Sequence, residues 1–138
     1  MKSVLLDAGV IVGAMDRSEQ FHRVCAETMT GTSAPLVTCE AVIVESCYLL
    51  RNVKGAREAI LSNVAAGIFR IPFSLSQSAE HIKHILKKYD DRSIDLADAC
   101  LIHLANELNS PEILTLDRDF QFYRWGRNNP FQLGIPLK

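Results

Sequence analysis

Residues 112–117, Glu112-Ile113-Leu114-Thr115-Leu116-Asp117, form an apolar strand-like run that ends on a carboxylate. Residues 4–7, Val4-Leu5-Leu6-Asp7, do the same near the other end of the chain. Between them, Pro35-Leu36-Val37-Thr38 and Phe69-Arg70-Ile71-Pro72-Phe73 read as second and third strands, with Pro72 putting the third at or near a sheet edge. The runs alternate with longer segments of helical period. Strands separated in this way need crossover connections, which give an α/β fold: a central, mainly parallel sheet with helices on both faces. In such sheets ligands sit beyond the carboxyl ends of the strands, where strand order reverses. Asp7 and Asp117 are therefore expected on one rim.

The helical segments follow from apolar spacing and capping residues. Val10-Ile11-Val12 begins a new element after Gly9. Ser18 is the expected cap of a helix through about Thr30, with Phe21, Val24, Cys25 and Met29 on one face and Gly31 closing it. Others run from Glu40 to about Asn52, from Lys54 to Ala66, and from a Ser74/Gln77 capping box to Tyr89. A further helix, Ile94 to Leu108, starts at Ser93 and carries Leu101, Leu104, Ala105 and Leu108 as its stripe. An aromatic tail of Phe120, Phe122, Tyr123 and Trp125 follows, and Phe131 with Leu133 suggests a last short strand.

A length of 138 residues, 48% hydrophobic and 22% charged, fits a single domain over 1–138 and excludes disordered, collagen-like and disulfide-scaffold classes. Net charge is −1, so no overall polycation advertises a nucleic-acid partner. Cys25, Cys39, Cys47 and Cys100 contain no C-x-x-C spacing and read as reduced, buried thiols. The first apolar run breaks at Asp7, too early for a signal peptide, and no run approaches the ~18 residues of a membrane span. A cytoplasmic protein without a membrane partner is expected. Phosphate-binding loops and nucleophile elbows are missing, and Asp7-Ala8-Gly9 lacks the second Asp of a haloacid-dehalogenase-type phosphatase.

Two further acids sit in apolar sequence: Glu45 within Val42-Ile43-Val44-Glu45-Ser46-Cys47-Tyr48, and Asp98 within Leu96-Ala97-Asp98-Ala99-Cys100-Leu101. Asp95 shares a helix face with Asp98. A carboxylate in low-dielectric surroundings is costly unless paired or bound to a metal, and neither sequence neighbourhood supplies a base. Four converging carboxylates repel one another unless a cation lies between them, and a hard divalent ion, Mg²⁺ or Mn²⁺, is the natural occupant. Such an ion can activate water and stabilise an in-line phosphodiester displacement. The plainer alternatives are ordinary loop acids for Asp7 and Asp117, and a half-exposed residue or a salt-bridge partner for Glu45.

Leu5-Leu6-Asp7, Val44-Glu45 followed by Tyr48-Leu49-Leu50, Asp95-Leu96-Ala97-Asp98-Ala99 and Leu114-Thr115-Leu116-Asp117-Arg118-Asp119-Phe120 together resemble the PIN-domain family, in particular small bacterial ribonuclease toxins of the VapC type. The resemblance covers essentially the whole chain, in order. It implies a parallel sheet of order 3-2-1-4-5 and a Mg²⁺-dependent endoribonuclease with Asp7, Glu45, Asp98 and Asp117 as its acidic quartet. It also implies an RNA substrate, frequent homodimers and, for toxin members, a cognate antitoxin whose tail enters the acidic groove. The pattern departs in having Ala8-Gly9 where many relatives carry Thr or Ser after the first Asp. Asp95 and Asp119 are additional acids: Asp95 is either a favourable helix-start residue or a ligand, and Asp119 either caps a short helix or joins the site.

Discounting the four quartet acids from the net of −1 leaves +3 on the remainder. Arg118 and Arg124, with Arg127, Tyr123 and Trp125 nearby, are candidate RNA contacts, or else solvated arginines around a packed aromatic tail. His81 and His84, three apart, read as solvated histidines or as a transition-metal pair, and His103 as packing or surface. The rival function from another class is a catalytically silent PIN-like module that binds RNA or protein without cutting.

Overall fold

The strand β1 (Val4–Leu6) lies at the centre of the sheet, and all three of its residues are buried. A strand covered on both faces has no solvent side to alternate toward, which is why its sequence is continuously apolar. The computed structural model describes residues 2–137. After β1 come helices α1 (Ala8–Met15) and α2 (His22–Gly31), strand β2 (Leu36–Val37), helices α3 (Glu40–Leu49) and α4 (Ala56–Ala65), and strand β3 (Phe69–Arg70). Helices α5 (Leu75–Lys88) and α6 (Leu96–Leu108) then lead to β4 (Glu112–Leu114). The chain ends with β5 (Arg124–Trp125), β6 (Asn129–Pro130) and β7 (Gln132–Leu133).

The main sheet has the order β3-β2-β1-β4-β7, with every neighbouring pair parallel. This is the expected 3-2-1-4-5 arrangement, with the last short strand in the fifth position. β5 and β6 form a separate antiparallel hairpin. β3 is an edge strand, as expected, but it is shorter than the Phe69–Phe73 run suggested: it ends at Arg70, and Pro72, which offers no N–H to a ladder, lies beyond it. Order reverses beside β1: the chain leaves it toward β2 and returns on its other side as β4. Register pairs Leu6 with Leu114, so the residues just beyond both strands emerge at one edge.

Several local expectations change. The chain turns helical immediately after Asp7, with Gly9 inside α1. The expected Ser18–Thr30 helix starts later, at His22, and its N-terminus has no side-chain cap. Ser18 is unavailable because its N–H and hydroxyl both donate to the Asp16 carboxylate, at 3.0 and 2.6 Å. Ser93 does not open α6 either: it adopts a left-handed conformation (φ 54°), and Asp95 is the cap, accepting from the Asp98 N–H at 2.8 Å. Ser74 does cap α5, accepting from the Gln77 N–H at 3.4 Å. α3 ends at Leu49 and α4 begins at Ala56, each shorter than the periodicity suggested. All four cysteines are free; Cys47 is half-buried and the others buried.

Helices α1 and α2 approach closely because residue 13 has no side chain. A Cβ on Gly13 would lie 2.7 Å from Cys25 Sγ and 3.3 Å from Cys25 Cβ. His22 Nδ1 also meets the Gly13 carbonyl at 2.9 Å. Overpacking costs about 1–3 kcal/mol, against a helix-propensity gain of about 1 kcal/mol for Gly→Ala. Gly13→Ala is therefore expected to lower stability by roughly 1 kcal/mol in the natural chain. In a Cys25→Ala background the same change should be neutral or stabilising. A denaturant double-mutant cycle reads the coupling, and additive effects would refute the contact.

Candidate functional site

Asp7 and Asp117 follow β1 and β4, and the parallel register brings both to the carboxyl edge of the sheet. Asp7 caps α1, its Oδ1 accepting from the Ala8 N–H at 2.8 Å. Its Oδ2 accepts from the Thr115 hydroxyl at 2.7 Å, and Thr115 Oγ1 in turn accepts from the Asp117 N–H at 2.9 Å. One buried hydroxyl thus ties the two acidic termini together. Sequence reading passed over Thr115, although a polar residue inside Ile113-Leu114-Thr115-Leu116 was a visible signal. Where Ala8 supplies no hydroxyl after the first Asp, Thr115 supplies one from the neighbouring strand.

Asp7, Glu45, Asp95, Asp98 and Asp117 line one cleft of about 280 Å³, with Gly9 and Leu116 between them. Asp7 and Asp98 are buried. Glu45 differs from expectation: it is exposed, on the rim. Its apolar sequence neighbours Val44, Tyr48 and Leu49 are exposed as well, so α3 turns an apolar side outward and does not enclose the carboxylate. Asp95 caps α6 and also lines the cleft. Asp119 does not cap the turn Arg118–Gln121. Asp117 does, accepting from the Asp119 N–H at 2.9 Å, because a cap must precede the first helical residue.

No Lys or Arg forms a salt bridge with any of the five acids among the described residues. Burial raises Asp7 from 3.8 to about 6, against the opposing hydrogen bonds from Thr115 and Ala8. Burial raises Asp98 to about 9, reinforced by Asp7, Asp95, Asp117 and Glu45. Glu45 is also raised, by desolvation and then by Asp95 and Asp117. A set of oxygen donors this short of positive charge, partly buried and convergent, fits a hard divalent cation.

The aromatic tail packs inward. Tyr123 is fully buried, 5.0 Å from Phe120 and 4.9 Å from Tyr89 between ring centroids. Its hydroxyl is a buried polar atom without a hydrogen-bond partner, and burial together with Asp98, Asp119, Asp117 and Asp95 pushes its pKa up. Trp125 is half-buried, and its indole N–H donates to the Pro130 carbonyl at 3.1 Å. The Arg124 guanidinium donates to the carbonyls of Gln121, Phe122 and Tyr123 at 3.0–3.2 Å, closing the turn beneath it. Arg118 is exposed. Arg92, unmarked in the sequence, lies 3.9 Å from the Phe122 ring centre and 4.0 Å from Asp119. Among the histidines, His103 is buried, and burial lowers its pKa.

The upward shifts have a definite sign. The folded chain retains protons that the unfolded chain releases near pH 4, so their contribution is complete below that pH. It is lost as pH rises through about 6 for Asp7 and toward about 9 for Asp98. Chelated protein should therefore lose stability relative to Asp98→Asn as pH rises from about 5 to about 8. Thermal melts of both proteins in chelator test this; a pH-independent difference would mean that Asp98 is not strained by its neighbours.

Residues 4–126 match the model of the PIN domain. The chain is 29% identical over 117 residues to ribonuclease VapC26 of Mycobacterium tuberculosis, covering 83% of this chain and 87% of that protein. Its fold matches the crystal structure of Mycobacterium tuberculosis VapC20, a sarcin-ricin loop cleaving toxin, with a TM-score of 0.79. That likeness covers 92% of this chain and 99% of the other at 16% identity. The family match runs from β1 through β5 and includes all five cleft acids, and the chain belongs to the PIN domain family.

Proposed function

We propose that this protein is a metal-dependent endoribonuclease, the toxin of a toxin–antitoxin pair, with Mg²⁺ or Mn²⁺ held by Asp7, Asp98, Glu45 and Asp117. The observation that carries the reading is the cleft itself: five carboxylates on one edge, two of them buried, with no salt-bridge partner among the described residues. The ribonuclease relative, similar over most of its length, supports the activity. A module that only binds has no use for so unfavourable a cluster.

A bound Mg²⁺ or Mn²⁺ would supply Lewis acidity at the scissile phosphate and a water of lowered pKa. The chain's own residues provide the frame. Asp7 is fixed by two hydrogen bonds and Asp98 by burial, so both present oxygens without reorganising. Asp117 is oriented through Thr115, and exposed Glu45 can reach an incoming strand or position the attacking water. Asp95 keeps one oxygen on the α6 N-terminus, leaving the other free for the cleft. Arg118, exposed beside Asp117, is the better-placed candidate for a phosphate contact. Arg124 is engaged by its own backbone and contributes through the turn it closes.

The exposed apolar side of α3, with Val44, Tyr48 and Leu49 next to Glu45, supports a protein partner close to the cleft: a second copy in a homodimer, or the cognate antitoxin. No helix among the described residues is long and apolar enough to cross a membrane. Four unpaired thiols fit a reducing, cytoplasmic setting.

The test is cleavage of a mixed structured RNA pool with Mg²⁺, then Mn²⁺, by the natural chain, Asp7→Asn and Asp117→Asn. Each substitution should lower cleavage by roughly 10²–10³-fold while the protein remains folded. Mg²⁺ or Mn²⁺ should also raise the Tm of the natural chain, and Asp98→Asn should remove most of that gain. Equal cleavage by all three proteins would place the activity elsewhere, and RNA binding without cleavage under both metals would favour the silent module.

A further inference from the structure

Away from the cleft, α5 and α6 pack side by side and bring together three side chains that the sequence separates. One ligand atom each from His81, His103 and Glu107 lies within 4.8 Å of the others. His103 and Glu107 are four apart on α6 and so share a face, and His81 reaches them from α5. They border a cavity of about 380 Å³ together with His84, Ile85 and Asn106. We propose that His81, His103 and Glu107 form a second metal site, selective for a transition divalent ion and best suited to Zn²⁺, separate from the acidic cleft.

The donor chemistry distinguishes the two sites. The cleft offers only carboxylates, which suit Mg²⁺ or Mn²⁺, whereas two imidazoles and one carboxylate suit Zn²⁺. Tetrahedral ligation at about 2.0–2.1 Å places ligand atoms roughly 3.3 Å apart. His103 Nε2 and Glu107 Oε1 are already 3.4 Å apart. His81 and Glu107 are exposed and can draw in by a rotamer change, while His103 is 4% exposed and provides a fixed point. The His103 ring is held edge-on by Phe73, with centroids 6.2 Å apart, and lies 5.7 Å from the His81 ring. Three protein ligands leave a fourth position for water, open to solvent through the cavity.

Position on α6 keeps the sites apart. His103 and Glu107 follow Asp98 by five and nine residues, which is about 7.5 and 13.5 Å along the helix axis, and His103 is turned away from the Asp98 face. Zinc bound there would staple α5 to α6. From the sequence, His81 and His84 read as solvated histidines or as a transition-metal pair; the fold brings His103 to His81 instead.

The experiment is a titration of the metal-free protein with Zn²⁺, in excess Mg²⁺ to occupy the cleft, followed by calorimetry. A parallel titration with Co²⁺ is read by visible absorption. The natural chain should bind one Zn²⁺ and give the absorption of low-coordinate Co²⁺. His81→Gln and Glu107→Gln alter exposed residues, so folding is not at risk. Each should weaken binding by roughly 100-fold or more, since loss of even an outer-shell partner costs 10–100-fold. His84→Gln and Asp98→Asn should bind as the natural chain does. Retained affinity in His81→Gln or Glu107→Gln, loss of binding in Asp98→Asn, or no Zn²⁺ bound in excess Mg²⁺ would each overturn the proposal.

Discussion

Parallel pairing of β1 with β4 is the constraint from which the cleft follows. Leu6 and Leu114 are in register, and the Asp7 N–H donates to the Leu114 carbonyl at 3.0 Å, extending the ladder past the last paired residues. The next side chains on the two strands are therefore Asp7 and Thr115, and their hydrogen bond is as much a sheet contact as a site contact. Slipping the register by one residue would send Thr115 to the opposite face and leave Asp7 buried without its donor. Apolar packing of Leu5, Leu6, Ile113 and Leu114, all essentially inaccessible, keeps that slip from occurring.

The same packing makes the cleft costly. Burying Asp7 and Asp98 among other acids disfavours their charged forms, and no Lys or Arg among the described residues pairs with either. Stability and the proposed activity therefore pull against each other at one place, and a divalent ion held there would reconcile them. The close α1–α2 contact at Gly13 and the continuous core around β1 are the parts of the fold that hold this strained edge in position.

Strand-then-acid signals are local, which is why Asp7 and Asp117 were legible at once; the sheet order came from the family resemblance and not from the strands themselves. Asp98 was legible because its sequence neighbours are apolar, and it is in fact buried with Ala97, Ala99, Cys100 and Leu101. Glu45 misled because neighbours in sequence point about 100° apart on a helix, and α3 is apolar on the side it exposes as well as on the side it buries. Competing caps blurred the helix starts: Ser18 and Ser93 were plausible, but Asp16 captured one and backbone conformation excluded the other. Thr115, Arg92 and the His81–His103 pairing depend on tertiary contacts across long stretches of chain, so spacing alone could not reveal them.

Three of the cleft acids are also caps: Asp7 opens α1, Asp95 opens α6, and Asp117 opens the turn that follows β4. Each helical segment therefore directs its amide end, with partial positive charge, toward the place where the carboxylates gather. Backbone amides do not titrate and cannot be removed by substituting a side chain. A fixed part of the charge balance thus belongs to the main chain, and exchanging a capping Asp for Asn changes the formal charge while leaving that background field intact.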